Sequence, residues 1–115
     1  MRILIVEDDP FVALDLECIV RDSADSVEIC MASTLAEARR CARQPIDFAF
    51  LDIDLPDGKT FPVAAALRDR GIPFVFVSGA LLLEIPPLLR DAPFVTKPYE
   101  VWQLRQNLLQ NVRHG

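Results

Sequence analysis

The stretch "FLDIDLPDG", residues 50–58, ends an apolar run with two aspartates one residue apart and then turns at Pro56 and Gly58. Its first residues belong to "FAFL" (48–51), which is continuously apolar rather than alternating, the pattern of a strand covered on both faces. "RILIV" (2–6) and "FVFV" (74–77) have the same character, and "VEIC" (27–30) and "FVT" (94–96) add two more candidate strands. Continuous rather than alternating runs predict a parallel sheet with helices on both sides.

Helical segments separate most of these runs. Pro10 to about Asp22 begins with proline in its first turn. "TLAE" at Thr34–Glu37 is a capping box that opens a second helix fading near Gln44–Pro45. Thr60 is placed to cap a third, ended by Gly71, and "YEVWQLRQNLLQNV" from Tyr99 makes the last. Right-handed crossovers then give a doubly wound α/β fold with a five-stranded parallel sheet, taken here in the order 2-1-3-4-5, one of the two common for such folds and the order of the family that the chain resembles below. Residues 79–92, "GALLLEIPPLLRDA", stand apart. Pro86–Pro87 removes two successive backbone donors and pushes Ile85 out of the helical region, so the fourth helix is expected to be short or irregular.

With 115 residues the chain is sized for one domain, 1–115, and its 51% hydrophobic content calls for a well-packed interior. A net charge of −5 and no basic run beyond Arg39–Arg40 argue against direct nucleic-acid binding. Cys18, Cys30 and Cys41 form neither an even set nor a metal-ligand spacing, and are expected to be buried thiols in a reducing cytosol. The opening "MRILIVEDD" is not a signal peptide, and no apolar run is long enough to span a membrane, so a cytoplasmic location is expected.

In such a sheet, ligands sit outside the carboxyl ends of the strands, where the strand order reverses. Glu7, Asp8 and Asp9 follow the first strand, Asp52 and Asp54 the third, Ser78 the fourth and Lys97 the fifth. Glu7/Asp8 and Asp52 should converge there. Several carboxylates in one cleft repel unless a cation neutralises them, and hard oxygen donors point to Mg²⁺ shared with phosphate oxygens. Lys97 would supply a second positive charge and Ser78 a hydroxyl for an anionic ligand.

This ordered set, "ILIVEDD", "FLDIDLPDG", "FVFVSGA" and "FVTKP", resembles the receiver domain of two-component response regulators over the whole chain, in a stand-alone form with a flavodoxin-like fold. The resemblance implies that Asp52 is the phosphoacceptor, attacking a phosphohistidine to form an acyl phosphate. It also implies that Asp8 binds Mg²⁺ directly, that Glu7 acts mainly through a metal-bound water, and that Asp52 and the backbone carbonyl of Asp54 complete the metal site. Lys97 would pair with the phosphoryl group through a segment with a cis bond to Pro98, and Ser78 would swing toward the phosphoryl oxygens, coupled to Phe94 as a switch. The Asp54 side chain would tune hydrolysis, and Asp9 and Asp57 are read as solvated loop residues. Such a protein is not an enzyme in the ordinary sense: it catalyses only its own phosphotransfer and autodephosphorylation. "PFVFVSGA" is similar to a receiver subgroup with Phe-Ala-Thr-Gly at this strand end, with Val77–Ser78 in place of Ala-Thr.

Two alternatives stay open. A haloacid-dehalogenase-like phosphatase also orders Asp-x-Asp, Ser/Thr and Lys, but its acidic pair should follow the lysine, whereas Glu7–Asp8 come first. A pseudo-receiver would bind partners without phosphorylation. The expected partner is a sensor histidine kinase or a histidine phosphotransfer protein. On the first helix, Val12, Leu16, Ile19 and Val20 share a core-facing stripe, while Phe11, Leu14 and Cys18 lie on another, whose Phe11 and Leu14 would either dock the partner's helix or be buried under a loop. On the last, Val101, Leu104, Leu108 and Val112 point one way, and Trp102 and Leu109 form a separate strip suited to a homodimer or to shielding residues 79–92. His114 is read as part of a frayed end rather than as a phosphodonor.

Overall fold

The computed structural model describes residues 1–80 and 82–112. Five strands, β1 (Arg2–Val6), β2 (Glu28–Ala32), β3 (Phe48–Leu51), β6 (Phe74–Ser78) and β7 (Phe94–Thr96), form a parallel sheet in the order β2-β1-β3-β6-β7. Apart from a two-stranded hairpin, β4 (Asp54–Leu55) and β5 (Gly58–Lys59), this is the expected 2-1-3-4-5 order. β1 and β3 lie side by side at the centre with Val6 opposite Leu51, which sends the residues after both strands to one edge.

Four helices cover the sheet: α1 (Pro10–Ser23), α2 (Leu35–Ala42), α3 (Phe61–Asp69) and α4 (Val101–Val112). Successive residues of a strand face opposite sides, so the core falls into two layers. Leu4, Val6, Ala49, Leu51, Phe74 and Phe76 pack with α2 and α3, whereas Ile3, Ile5, Phe48, Phe50, Val75 and Val77 pack with α1 and α4. From α1 the second layer takes Leu16, Ile19 and Val20, with Val12 half-buried, and from α4 it takes Leu104 and Leu108. Val101, assigned to that stripe, is instead 42% exposed, because it occupies the first helical position, beyond the sheet's cover. His114 and the side chain of Val112 lie outside the described residues.

Between β6 and β7 the chain makes two single 3-10 turns, Leu82–Glu84 and Pro87–Leu89. The expected irregular fourth helix therefore holds. Ile85 and Leu89 enter the core while Leu83 and Leu88 face solvent.

The cysteines depart from expectation. Cys30 on β2 and Cys41 on α2 are joined in a disulfide with Cα atoms 6.4 Å apart, and Cys18 is exposed. The strand-to-helix return folds residue 41 back over residue 30, a proximity that counting cysteines does not reveal. Among the described residues, no helix is long and apolar enough to cross a membrane.

Candidate functional site

β1 delivers Glu7 and β3 delivers Asp52 from buried strand ends, and a single backbone bond ties the two: Asp52 N–H donates to Val6 O at 2.9 Å. Ligand atoms of Glu7, Asp8 and Asp52 all lie within 4.8 Å of one another. Glu7 and Asp52 are buried and Asp8 is exposed, so the cluster opens to solvent on one side.

Lys97 closes the opposite side. Its ammonium donates to Glu7 Oε1 at 2.6 Å and to Asp52 Oδ2 at 3.2 Å. It is positioned by its own backbone N–H, which bonds Ser78 O at 3.0 Å, and the Lys97–Pro98 bond is cis, as the resemblance implies. Burial pushes the Glu7 carboxyl up to about 7; the hydrogen bonds from Lys97 and from Asp9 N–H oppose this, and the Asp52 charge adds to it. At Lys97, burial disfavours the ammonium, but the Glu7 hydrogen bond and the charges of Asp52 and Glu7 outweigh it, holding the group above the usual lysine range.

The remaining residues fall into place unevenly. Ser78 is buried at the end of β6, its Oγ accepting from Ala80 N–H at 3.2 Å. Phe94 stands opposite Phe76, two residues before Ser78, with ring centroids 6.5 Å apart, which puts it on the same side of the sheet as Ser78. The Asp54 carboxylate is not in the cluster: it is exposed and paired with Lys59. Phe11 and Leu14 are 84% and 59% exposed on α1, so no loop among the described residues covers them.

Three residues read differently from the sequence. Asp9 is no free loop residue, since its Oδ1 accepts from Phe11 N–H at 2.9 Å and Val12 N–H at 3.4 Å and caps α1. Asp57 likewise spans to α2, accepting from Leu35 N–H at 2.6 Å and Ala36 N–H at 3.1 Å; these bonds hold its carboxyl below the usual range. Thr60 precedes α3 without capping it. Its buried hydroxyl donates to Asp52 O at 2.6 Å, fixing the backbone that carries the Asp52 side chain. Tyr99 adds a tie beside Lys97 by donating to Asp15 on α1, and burial followed by this bond raises its phenol.

The structure overlays on solved receivers along almost its whole length. A response regulator receiver protein from Sinorhizobium medicae matches with TM-score 0.84 and 25% identity over 98% of this chain and 94% of that one. The chain has the receiver-domain fold. A receiver domain protein from Methanospirillum hungatei matches at TM-score 0.81 and 24% identity, covering 98% and 94% of the two chains. The receiver of a sensor histidine kinase from Pseudomonas aeruginosa, at TM-score 0.81, 22% identity and 97% coverage of each chain, has a magnesium ion coordinated in its active-site cleft. No protein-family model and no curated protein matches the sequence.

Donor chemistry here fits a hard divalent cation: three carboxylates within reach of one point, two of them buried, with a single ammonium against them. Magnesium held by Glu7, Asp8 and Asp52 would neutralise charge on the oxygens of a bound phosphoryl group.

Proposed function

We propose that this chain is a cytoplasmic receiver domain that takes a phosphoryl group from a phosphohistidine onto Asp52 and signals through altered partner binding. The observation that supports it most is the Lys97 ammonium set between the Glu7 and Asp52 carboxylates, with Asp8 beside them. An Asp52 carboxylate oxygen attacks phosphorus, the P–N bond breaks, its electron pair returns to the imidazole, and an acyl phosphate remains. Asp8, Asp52, Glu7 and the Asp54 carbonyl would hold a magnesium ion, which would supply positive charge to the phosphoryl oxygens. Lys97 exchanges its carboxylate partners for phosphoryl oxygens, and the Ser78 hydroxyl donates to one of them. Phe94 follows Ser78 as the switch. The same residues support autodephosphorylation, with no separate substrate turned over.

Phe11 and Leu14 offer an exposed apolar strip on the helix that follows Glu7 and Asp8, suited to a sensor kinase or phosphotransfer helix. Trp102 and Leu109, also exposed, suit a second copy of the chain. A phosphatase would need the Asp54 carboxylate free as a general acid, and its pairing with Lys59 weighs against that.

Acetyl phosphate with Mg²⁺, followed by mapping of any base-labile phosphate by mass spectrometry, tests the proposal. The label should sit on Asp52 alone and vanish in Asp52→Asn and without Mg²⁺. Turnover of free phosphomonoesters would favour the phosphatase, and failure with every donor a pseudo-receiver.

A further inference from the structure

Tyr99 lies two residues past Lys97, in the stretch 97–100 that belongs to neither β7 nor α4. Lys97 has a narrow seat to fill. Its ammonium lies 2.6 Å from Glu7 Oε1 and 3.2 Å from Asp52 Oδ2, at the end of a flexible four-carbon stem. On one side the backbone fixes it, since Lys97 N–H donates to Ser78 O at 3.0 Å on β6. Toward α1 the tie is a side chain.

The Tyr99 ring packs against the core layer shared by α1 and α4, and its hydroxyl donates to the Asp15 carboxylate on α1. A phenylalanine would fill the same space. The hydroxyl therefore adds what packing does not need, a charge-assisted bond between two elements. α1 is itself fixed to the acidic cluster: Glu7 Oε2 accepts from Asp9 N–H at 3.1 Å, and the Asp9 carboxylate accepts from Phe11 N–H and Val12 N–H. Asp15 stands one turn beyond Phe11. The contacts thus run in a closed circuit, from the Lys97 ammonium through Glu7, Asp9 and α1 to Asp15, and back through Tyr99 to the Lys97 backbone. Opening the Tyr99 link frees the lysine-bearing segment to move away from α1.

We propose that Tyr99 is a positioning residue for Lys97, its bond to Asp15 holding the ammonium between Glu7 and Asp52, where it meets a phosphoryl group on Asp52 without being reoriented. The effect on rate rests on the phosphoacceptor reading of Asp52; the effect on Lys97 does not.

The chain has two lysines, and Lys59, on the hairpin, serves as an internal control. Lysine isotope-labelled at Cε lets both be followed by nuclear magnetic resonance in the metal-free protein. The paired Hε protons of Lys97 should be inequivalent in wild type, as a fixed stem requires, and should collapse toward one shift in Tyr99→Phe and Asp15→Ala. Asp15→Asn, which keeps an acceptor oxygen, should retain the splitting, with Lys59 unchanged throughout. Acetyl phosphate with Mg²⁺ is a donor that needs no docking on α1. With it, Tyr99→Phe and Asp15→Ala should each label Asp52 about threefold or more slowly, the double variant no slower than either, and Asp15→Asn within about twofold of wild type. A Lys97 signal indifferent to Tyr99→Phe and Asp15→Ala, equal changes at Lys59, no rescue by Asp15→Asn, or additive losses in the double variant would each overturn the proposal. If wild type takes no label, the phosphoacceptor reading fails and the Lys97 signal alone decides.

Discussion

Lys97 sits where two buried carboxylates need a cation, and the Glu7 proton records how well that need is met. With its carboxyl raised to about 7 in the metal-free protein, Glu7 holds a proton in the folded state that the unfolded chain gives up near 4.5. Over that window the folded state binds more protons, so the Glu7 contribution makes stability fall as pH rises from about 4.5 to about 7. Thermal melts of metal-free protein should show this trend, and Glu7→Gln should flatten it. Because magnesium favours the ionised form, calorimetry at pH 6.5 in two buffers of different ionisation heat should reveal proton release on binding that disappears by pH 8. Thr60→Val tests a quieter residue. Losing its bond leaves the buried Asp52 carbonyl unsatisfied, so urea unfolding should report a loss of roughly 1–3 kcal/mol, with slower phosphorylation. Glu7, Asp8, Asp52 and Lys97 were legible as one gathering because charged residues after apolar strands stand out by type. Thr60, Asp9 and Asp57 were not, since their partners are backbone groups, which leave no mark in a sequence.

Strands were easier to read than the joints between them. β1 and β3 run over the residues their apolar runs marked out, because buried parallel strands leave little room for polar residues; β7, at the far edge and half-exposed, also matches its short run. Edge strand β2 is displaced by one to two residues, and its half-exposed pattern shows why: fewer of its positions are constrained by burial. The capping box at Thr34 forms with a twist, Thr34 Oγ1 accepting from Glu37 N–H while the Glu37 carboxylate turns to Ser33. Asp57 supplements it from across the hairpin, where Gly58 adopts φ +147° and a Cβ would come within 3.1 Å of Leu35. Asp57→Ala should therefore speed hydrogen exchange at Leu35 and Ala36 while leaving that of α1 and α4 unchanged. Leu104→Ala should cost about 3 kcal/mol in urea unfolding, as α4 seals its layer with Leu104 and Leu108. Between β6 and β7 the proline pair announced the absence of a regular helix, but not which leucines turn inward. That choice is made by the core's shape, which places Ile85 and Leu89 inside and leaves Leu83 and Leu88 out.

Across the whole molecule, the doubly wound order makes the site possible: β1 and β3 are neighbours at the sheet's centre, so acids 45 residues apart in the chain meet within hydrogen-bonding distance of one lysine. Binding at that edge should stabilise the entire domain, because only the folded chain assembles the cluster. The parallel, doubly wound sheet was readable in advance from the alternation of strands and helices, but its strand order only from the resemblance to receivers; the disulfide between Cys30 and Cys41 was not readable at all, as it depends on how α2 lies over β2. The gathering of carboxylates around one cation opposite Lys97 is tested most directly by titrating magnesium at pH 8 while following amide shifts in wild type and Asp8→Asn. Wild type should show saturable shifts confined to the neighbourhood of residues 7–9, 52–54 and 97, with about tenfold or weaker binding in Asp8→Asn. No saturable shift in wild type, or equal affinity in the variant, would contradict it.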